Sequence, residues 1–387
     1  MRRLTVLHSV YSWLPVTQNW VYTQIIRNSG CEAAVASITE EGTEQFPYEN
    51  RATAFRGRSI TARIGAATAR YWIRQPRAFF IREIARIHPD VVHGHFAPES
   101  WRILPFVRNA RIPLVTTFYG LDVEKLPRRR RWRQRYQKLF SYGDAFTVEG
   151  PFMEKRLAET GCAPEKIHVI PLGVDDVFAT MPQRDKSSDE SVHVLFTGLG
   201  REKKGPLDAA RIFIDAARAV PKLHLSVVGD GRYRLPFERK VRDAGFGDRV
   251  TFHGYCSLTR YRELLAGSDV VLVPSVKAHD GDTEGGAPVV SIEAQLAGVP
   301  VVGTRHCDIP FIVHHDRGGL LSAEHDTMSM ARDLVGLAEN AHLRKSMGEY
   351  GRRHALRQHS VDRQIAAITA LYRSVVAGNR AKGAVDG

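Results

Sequence analysis

Short apolar runs, many of them β-branched, alternate with longer helical patterns along most of the chain. Eleven runs are predicted as strands, at residues 4–8, 33–38, 90–95, 113–118, 145–149, 166–170, 192–198, 223–229, 249–254, 269–274 and 299–304. Strands that are apolar throughout and separated by helices are typical of parallel sheets covered on both faces. The pattern therefore predicts an α/β protein with doubly wound sheets.

A polar interruption separates two copies of this alternation. Residues 171–191, PLGVDDVFATMPQRDKSSDES, show no hydrophobic periodicity. The length of 387 residues also favours two domains, because single hydrophobic cores stop growing near roughly 250–300 residues. We predict one Rossmann-like domain over residues 1–175, a linker over 176–191 and a second Rossmann-like domain over 192–359.

The net charge of +13 is distributed unevenly. Residues 1–170 contain 26 Lys and Arg against 15 Asp and Glu, whereas the remainder contains 29 against 27. The first half therefore carries nearly all of the excess positive charge. Such a half predicts a basic face for an anionic partner, either membrane lipid or nucleic acid.

Residues 128–138, RRRRWRQRYQK, form the most basic predicted helix, with Trp132 and Tyr136 four positions apart on one face. One interpretation is a solvated surface helix. The other is a contact with a membrane surface, where aromatic rings lie at the interface and arginines meet anionic headgroups. The sequence contains no nucleic-acid-binding module, so no nucleic-acid partner is expected.

Three further features bear on location. No stretch reaches the ~20 apolar residues that a membrane span needs, and the N-terminal apolar run is too short for a signal peptide. The four cysteines are scattered without a CxxC pair, which favours reduced thiols over disulfides or a zinc site. We expect a cytoplasmic protein that associates peripherally with the inner membrane.

The stretch DGDTEGGAPVVSIEAQLAGVPVVGT, residues 280–304, combines glycines, a proline and two carboxylates. Gly285 and Gly286 allow close approach of the backbone to a ligand. A helix is predicted over 289–297, and a helix N-terminus after a glycine-rich loop is suited to an anion. Glu284 and Glu293 could accept hydrogen bonds from sugar hydroxyls. A purely structural turn is the alternative interpretation, because glycine-rich strand-to-helix turns are common.

With its flanking motifs, this stretch resembles glycosyltransferase family 4, the retaining nucleotide-sugar transferases of GT-B fold. VHVLFTGLGREKKGPLDAA resembles the first strand and phosphate loop of the family's C-terminal domain, and LSVVGDGRYRLPFE resembles the GDG turn that follows. KIHVIPLGVD, DVVHGHF and PLVTTFYGLDV resemble segments of the N-terminal half. The EGGAP form with RHCDIP downstream is most similar to members that build bacterial exopolysaccharide or lipopolysaccharide.

The resemblance implies two Rossmann-like domains facing a central cleft, with a C-terminal helix over 360–380 packing back onto the first domain. It implies a hexosyltransferase that moves sugar from a nucleotide-diphosphate sugar to a glycan or lipid-linked oligosaccharide acceptor. No cofactor and no metal are expected, and the DGD at 280–282 is interpreted as a loop. Substitution on the front face is implied, with no protein nucleophile and with the leaving phosphate taking the acceptor proton.

The resemblance also implies donor-side residues. Lys204 matches the lysine that meets the donor diphosphate, Glu293 matches the glutamate that holds the ribose hydroxyls, and Glu284 resembles the glutamate near the transferred hexose. One residue is inserted between these glutamates relative to the usual family spacing. Further donor contacts are expected from His253 and from the backbone amides of Gly285, Gly286 and Ala287.

Two departures from the family pattern affect this site. Leu199 stands where the family has an arginine, and Arg201 is the candidate replacement in the same loop. Tyr119 stands where many relatives carry a histidine near the donor hexose. A phenol can hydrogen-bond a sugar oxygen but cannot act as a protonated imidazole. A tyrosine that only caps the core is the alternative interpretation.

Acceptor-side candidates come from the first domain. Asp122 is expected to orient the loop that contains Tyr119. We expect His93 and His95 to point to opposite faces of their strand, with His95 bordering the cleft and no metal pair between them. Thr17, Gln18 and Asn19 are further candidates, although plain helix capping is the favoured role for them.

Two rival functions remain at this point. One is another enzyme of the same fold, either a nucleotide-sugar epimerase or a glycoside phosphorylase. The other is a non-enzymatic basic protein that binds membrane or nucleic acid. The presence of Lys204, Glu284 and Glu293 in the expected order favours the transferase.

Overall fold

The computed structural model describes residues 2–15, 18–55, 76–181 and 191–385, with side chains described up to residue 381. The chain forms two compact units. The first contains residues 1–173 and 361–387, and the second contains residues 174–360. The first unit is therefore assembled from both ends of the chain.

The first unit is built on a seven-stranded sheet in which every described pair of neighbours is parallel. The strand order is β3-β2-β1-β4-β5-β6-β7, in which the direction of winding reverses beside β1 as in Rossmann folds. The strands are β1 (Leu4–Trp13), β2 (Cys31–Glu40), β3 (Arg51–Thr53), β4 (Val91–His95), β5 (Leu114–Thr117), β6 (Ala145–Val148) and β7 (Ile167–Val169).

Helices cover this sheet and close its apolar core. They are α1 (Asn19–Ile26), α2 (Arg77–Ile87), α3 (Ala97–Asn109), α4 (Arg130–Tyr142) and α5 (Pro151–Glu159), together with the C-terminal helix, which is numbered last. On one side, Ile103, Phe118 and Phe146 are among the fully buried side chains. Because the strands are apolar on both faces, a helix is needed on each side.

The second unit repeats the same topology with a six-stranded parallel sheet of order β10-β9-β8-β11-β12-β13. Its strands are β8 (Val192–Thr197), β9 (Leu223–Val228), β10 (Val250–Gly254), β11 (Val270–Val273), β12 (Val301–Thr304) and β13 (Gly319–Ser322). Its core includes Phe196, Phe213 and Phe237, which are all fully buried. The prediction of two doubly wound parallel sheets is therefore confirmed.

The helices of the second unit are α6 (Val177–Thr180), α7 (Pro206–Ala219), α8 (Arg234–Asp243), α9 (Leu258–Ala266), α10 (Val289–Leu296), α11 (Ile309–Ile312), α12 (Thr327–Glu339) and α13 (Ala341–Gln358). The last helix, α14 (Val361–Val385), belongs to the first unit. Single 3₁₀ or π turns occur at Leu121–Lys125, Leu126–Arg128, Pro164–Lys166, Glu202–Lys204 and Gly247–Arg249.

Two details differ from the sequence-based expectation. The short strands β3 and β13 lie at sheet edges and were not among the eleven predicted strands. The segment 176–191 that was expected to link the domains contains α6, which lies in the second unit, and its residues 182–190 are outside the described ranges.

Candidate functional site

A loop over residues 198–205, which we call the lysine loop, joins β8 to α7 in the second unit. Gly198 has φ +134°, and a Cβ atom on it would lie 2.6 Å from Cβ and Cγ of Lys204. Only glycine therefore allows the stem of Lys204 to lie against the start of the loop. The loop thereby holds Lys204 at the carboxyl end of a central strand, where ligands bind in open α/β sheets.

Lys204 and Glu284 form an ion pair at this position. The ammonium Nζ lies 3.0 Å from Oε1 and 3.1 Å from Oε2 of the carboxylate, although the two residues are 80 positions apart in sequence. Glu284 is largely buried, and Ser275 donates a second hydrogen bond to Oε1 at 2.9 Å. Burial acts to raise the pKa of Glu284, but attraction to Lys204 and then Lys203 outweighs it, so the pKa is lowered.

The neighbouring cations meet the residues just before Glu284. Lys203 Nζ donates to the Thr283 carbonyl at 2.7 Å and lies 3.5 Å from Asp282 Oδ1. Arg201 reaches Asp282 Oδ2 at 3.5 Å while its side chain remains 72% exposed. The lysine loop therefore presents three cations beside residues 282–284, and the most solvent-accessible of the three is Arg201.

Leu199, at the position of the missing family arginine, is a core residue. Its side chain is fully buried in the apolar cluster of the second unit, and its carbonyl accepts a hydrogen bond from the Tyr233 amide at 3.1 Å. The second cation of this loop is Arg201, as the sequence suggested, although its role toward a donor stays a prediction.

Glu293 lies on α10, with its side chain largely buried. Tyr261 on α9 donates its phenol hydrogen to Oε2 of Glu293 at 2.5 Å. Burial raises the pKa of Glu293 to about 7, against the opposing effects of the Tyr261 hydrogen bond and of the Arg262 and Lys204 charges. Near neutral pH, this carboxyl group is therefore divided between its protonated and ionised forms.

His306 supports the backbone of Glu284 from behind. Its Nε2 accepts the Glu284 amide hydrogen bond at 3.2 Å, so its proton lies on Nδ1 and is donated to Glu324 Oε1 at 2.7 Å. Glu324 also accepts from the Lys277 amide at 2.8 Å. This buried histidine therefore connects the backbone of Glu284 to Glu324, which follows the end of β13.

The other expected donor-side groups lie around the same edge of the sheet. His253 on β10 is hydrogen-bonded to Ser226 Oγ at 3.1 Å, and burial lowers its pKa. Gly285 has φ +74°, and its amide donates to Thr283 Oγ1 at 3.2 Å. The Gly286 carbonyl accepts from the Asp308 amide. Their contacts with a donor, and those of Ala287, stay predictions.

The DGD at 280–282 forms a loop. Asp280 Oδ1 accepts a hydrogen bond from the Asp282 amide at 3.0 Å, and the Asp282 carboxylate faces Arg201 and Lys203. The Asp282 carboxylate is therefore the counter-ion of Arg201 and Lys203.

In the first unit, the expectation that His93 and His95 point to opposite faces is wrong. Residues two apart on a strand share a face, and the two imidazole centroids lie 4.2 Å apart. His8 on the adjacent strand joins them, with its Nδ1 hydrogen-bonded to His95 Nε2 at 3.1 Å. All three rings are buried, and burial lowers the pKa of each, so they are neutral at neutral pH.

These three histidines form a hydrogen-bonded network. His93 is hydrogen-bonded to Tyr372 Oη at 2.6 Å and to Thr117 Oγ1 at 2.7 Å. His95 Nδ1 meets Tyr119 Oη at 3.2 Å. Among the described residues, this is the one group of three or more potential metal ligands, with ligand atoms within 4.8 Å of one another. Both nitrogens of His93 and of His95 are already satisfied within the protein.

Tyr119 is almost fully buried, with its ring packed on Phe96 at a centroid distance of 4.3 Å. Its amide donates to Asp122 Oδ2 at 3.0 Å, and the Asp122 amide donates back to its carbonyl at 2.8 Å. Asp122 therefore holds this turn, and its burial raises its pKa to about 7. Because His95 and Asp122 are both buried, an acceptor-side role for either side chain stays a prediction.

The three candidates near α1 give a mixed picture. Thr17 lies outside the described residues. Gln18 occupies the N-cap position of α1, but its side chain makes no capping hydrogen bond, so the expected capping role is wrong for Gln18. Asn19 is the first residue of the helix.

The basic segment 128–138 is divided between a turn and α4. Arg128, Arg129, Arg130 and Arg131 are exposed. Tyr136, in contrast, is fully buried and donates its phenol hydrogen to the Asp122 carbonyl at 2.8 Å. Trp132 is half-buried and packs edge-on against Tyr136. The expected placement of Tyr136 at a membrane interface is therefore wrong, whereas that of Trp132 stays a prediction. None of the helices within the described ranges is both long enough and apolar enough to cross a membrane.

Sequence reasoning missed Lys203, Tyr261, Ser275 and His306. Lys203 is adjacent to the predicted lysine, and His306 lies in the RHCDIP motif, so each had a local signal. Tyr261 and Ser275 had none, because their glutamate partners lie 32 and 9 positions away in separate elements.

Two Rossmann-like units in one chain, the second with its cationic loop at a strand end, are typical of the GT-B fold of glycosyltransferases. Two family models match: "Glycosyltransferase Family 4" over residues 26–178 and "Glycosyl transferases group 1" over 178–354. The chain belongs to glycosyltransferase family 4.

Curated relatives agree with this assignment. The chain is 30% identical over 263 residues to a protein named as the colanic acid biosynthesis glycosyltransferase WcaL of Escherichia coli K12. It is 27% identical over 229 residues to the amylovoran biosynthesis glycosyltransferase AmsK of Erwinia amylovora. The matched regions span 65% and 58% of this chain, and 62% and 55% of those proteins.

Among solved structures, HepE of Anabaena in complex with UDP and glucose superimposes with a TM-score of 0.75 at 17% identity. The match covers 96% of this chain and all of that chain. This similarity shows the fold.

Proposed function

We propose that the protein is a retaining glycosyltransferase that moves a hexose from a nucleotide-diphosphate sugar to a lipid-linked glycan in cell-surface polysaccharide synthesis. The observation that carries this proposal is the ion pair between Lys204 on the lysine loop and Glu284 in the loop that leads into α10. The names of WcaL and AmsK support a polysaccharide product, and the UDP complex of HepE supports a nucleotide sugar as donor.

The lysine loop binds the donor diphosphate in this proposal. An ammonium group has three N–H donors. Two directions are used by the oxygens of Glu284, which leaves a third for a phosphate oxygen. Arg201 and the N-terminus of α7 add positive potential at the same loop. Glu293 accepts hydrogen bonds from the ribose hydroxyls, and Glu284 lies beside the transferred hexose.

The chemistry follows from this placement. The bond between the anomeric carbon and the phosphate oxygen breaks, and a bond to the acceptor oxygen forms on the same face of the sugar. The departing diphosphate takes the acceptor proton. The protein supplies charge stabilisation through Lys204 and Arg201 and orientation of the acceptor by the first unit. In the first unit, Tyr119, which His95 and Asp122 hold in place, is assigned to a sugar oxygen, and residues 17–19 are assigned to the acceptor.

We also propose that no metal takes part and that the protein works at the inner leaflet. The cations at 201, 203 and 204 supply positive charge at the diphosphate. The exposed arginines at 128–131 supply a contact for anionic headgroups. Turnover that persists in EDTA would support the first statement, and a requirement for added Mg²⁺ or Mn²⁺ would contradict it.

Calorimetric titration with UDP, GDP, ADP and CMP tests the donor site. We expect one nucleotide to bind the wild-type protein and to lose at least roughly tenfold in affinity in Lys204→Ala, since a charge-assisted hydrogen bond to phosphate is removed. Lys345→Ala, an exposed lysine on α13 of the same unit, is the matched control. Equal affinities for wild type and Lys204→Ala would contradict the proposed role of the lysine loop.

Retention is tested on the product. Turnover with each nucleotide sugar on membrane extracts should release the nucleotide diphosphate, and the NMR coupling at the new anomeric centre should match that of the donor. An inverted product would contradict the mechanism. Release without transfer, or dependence on inorganic phosphate, would point to one of the rival enzymes.

A further inference from the structure

Tyr261 is a buried partner of the donor site that neither the family motifs nor the local sequence pattern identifies. It lies on α9, whereas Glu293 lies on α10, and the two helices are joined in the chain through β11 and residues 280–287. The phenol oxygen lies 2.5 Å from Glu293 Oε2. A hydrogen bond from an O–H group to an ionised carboxylate is among the stronger hydrogen bonds in proteins.

We propose that Tyr261 is a positioning residue of the donor site, whose phenol fixes one carboxylate oxygen of Glu293 and leaves the other to accept from the ribose hydroxyls of the nucleotide. This inference rests on the proposed function, which assigns the ribose to Glu293. Tyr261 itself touches neither the donor nor the reacting atoms.

The surroundings of Tyr261 hold its ring in place. The ring packs edge-on against Phe178 of α6 at a centroid distance of 6.3 Å. The guanidinium of the adjacent Arg262 lies over the Phe178 ring, 5.4 Å from its centre. Packing of the ring fixes the position of the phenol oxygen. Glu293 therefore receives a donor of fixed position without the entropy cost of ordering a mobile side chain.

The surroundings of Glu293 make its protonation state sensitive to the Tyr261 hydrogen bond near neutral pH. Burial raises the pKa of Glu293 to about 7, while the Tyr261 hydrogen bond, the Arg262 charge on α9 and the Lys204 charge on the lysine loop act to lower it. Cys256 faces Tyr261 from the segment before α9. Without the phenol, a larger fraction of Glu293 would be protonated at pH 7 and would lose its capacity to accept two hydroxyl hydrogen bonds.

The sign of the pH effect follows from this arrangement. Nucleotide binding favours ionised Glu293, so the affinity should fall as the pH drops through about 7 in the wild-type protein. In Tyr261→Phe, the loss of a hydrogen bond to the ionised form raises the pKa of Glu293 further. The fall in affinity should then begin at a higher pH.

The experiment is calorimetric titration of UDP, GDP and ADP from about pH 6 to about pH 9 into wild type, Tyr261→Phe, Glu293→Gln and the double variant. We expect the pH range over which the affinity of Tyr261→Phe falls to move up by about one pH unit, which gives roughly fivefold weaker binding at pH 7 and a much smaller difference at pH 9. Glu293→Gln should bind weakly, with an affinity that does not fall as the pH drops through about 7. Adding Tyr261→Phe to Glu293→Gln should cause no further loss of affinity.

Other outcomes separate the inference from the proposed function. A loss in Tyr261→Phe that is uniform with pH and persists in the Glu293→Gln background would overturn the positioning role and show a structural effect only. If the wild type binds and Glu293→Gln weakens binding but Tyr261→Phe does not, the positioning role fails while the donor site stands. If none of the three nucleotides binds the wild type, the proposed function fails. Unfolding temperatures of all variants serve as the folding control.

Discussion

At the scale of single residues, the lysine loop depends on a glycine at its end. Gly205 has φ +62° and is the N-cap of α7. A Cβ atom there would lie 1.9 Å from the Pro274 carbonyl oxygen at the end of β11. The close approach of these two backbone segments fixes where Lys204, the preceding residue, is placed.

Gly205→Ala should therefore lower both stability and nucleotide affinity. The left-handed conformation alone costs about 1–2 kcal/mol, and the clash with the Pro274 backbone forces the loop to move. Gly245→Ala is a matched control, because Gly245 has φ +83° but an added Cβ would meet no atom within 4 Å. Urea unfolding and UDP titration should show the larger stability loss, and the only affinity loss, in Gly205→Ala. Equal effects of both substitutions would contradict this account.

Residue types at the site could be predicted from the sequence, whereas their pairings could not. Lys204, Glu284 and Glu293 stand in recognisable motifs, but the ion pair joins residues 80 positions apart, so it depends on which strands are neighbours. The expectation about His93 and His95 fails for a different reason. Residues two apart on a strand share a face, and the two rings lie together.

At the scale of elements, α4 has two faces of different character. Arg130 and Arg131 are exposed, while Tyr136 and Leu139 are buried in the core of the first unit. The sequence pattern correctly indicated a basic helix. It could not show that the aromatic side chains face inward, because an aromatic stripe suits a core and an interface equally.

Substitutions on the two faces of α4 should therefore have separable effects. Arg128→Gln, Arg130→Gln and Arg131→Gln together should weaken binding to vesicles with anionic lipid by roughly a hundredfold, since each basic residue contributes about 1 kcal/mol at such a surface. Stability should not change, because these side chains are exposed. Tyr136→Phe should cost about 1–2 kcal/mol of unfolding free energy by removing the bond to the Asp122 carbonyl, with no effect on vesicles.

Vesicle sedimentation and urea unfolding measure the two effects. Neutral vesicles are the control for the arginine variant. Unchanged sedimentation of that variant with anionic vesicles would rule out 128–131 as the membrane contact.

The two unpredicted strands show where periodicity stops being informative. Arg51–Thr53 contains a single apolar residue, and Gly319–Ser322 contains two between a glycine and a serine. Both lie at sheet edges, where a strand of three or four residues is held by pairing with one neighbour. Longer inner strands can be predicted from the sequence because both of their faces must be apolar.

At the scale of the whole molecule, the first unit needs α14 to complete its core. Ile368, Leu371 and Tyr372 are buried against β-strand residues that include Val6 and Val91. The phenol of Tyr372 is also hydrogen-bonded to His93, inside the histidine network. The expectation of a C-terminal helix on the first domain was drawn from the family resemblance alone.

Tyr372 substitutions should consequently destabilise the first unit in two steps. Tyr372→Phe leaves His93 Nδ1 without its partner and should cost about 1–3 kcal/mol. Tyr372→Ala also removes the ring from the core and should cost about 3–5 kcal/mol. Ser374→Ala, an exposed position on the same helix, is the control. Hydrogen exchange should show lost protection in β1 and β4, and unchanged protection in β8 and β11. Loss of protection in both sheets to the same extent would contradict this division.

The discontinuity of the first unit also has a consequence during synthesis. The ribosome makes β1 to β7 early, but the helix that covers one face of their sheet comes only after residues 174–360 have been translated. At elongation rates of about 5–20 residues per second, that apolar face stays uncovered for roughly 10–40 s. The second unit, although later in sequence, can finish folding first. Slower translation of the second half would lengthen the time for which this apolar face is exposed and prone to aggregation.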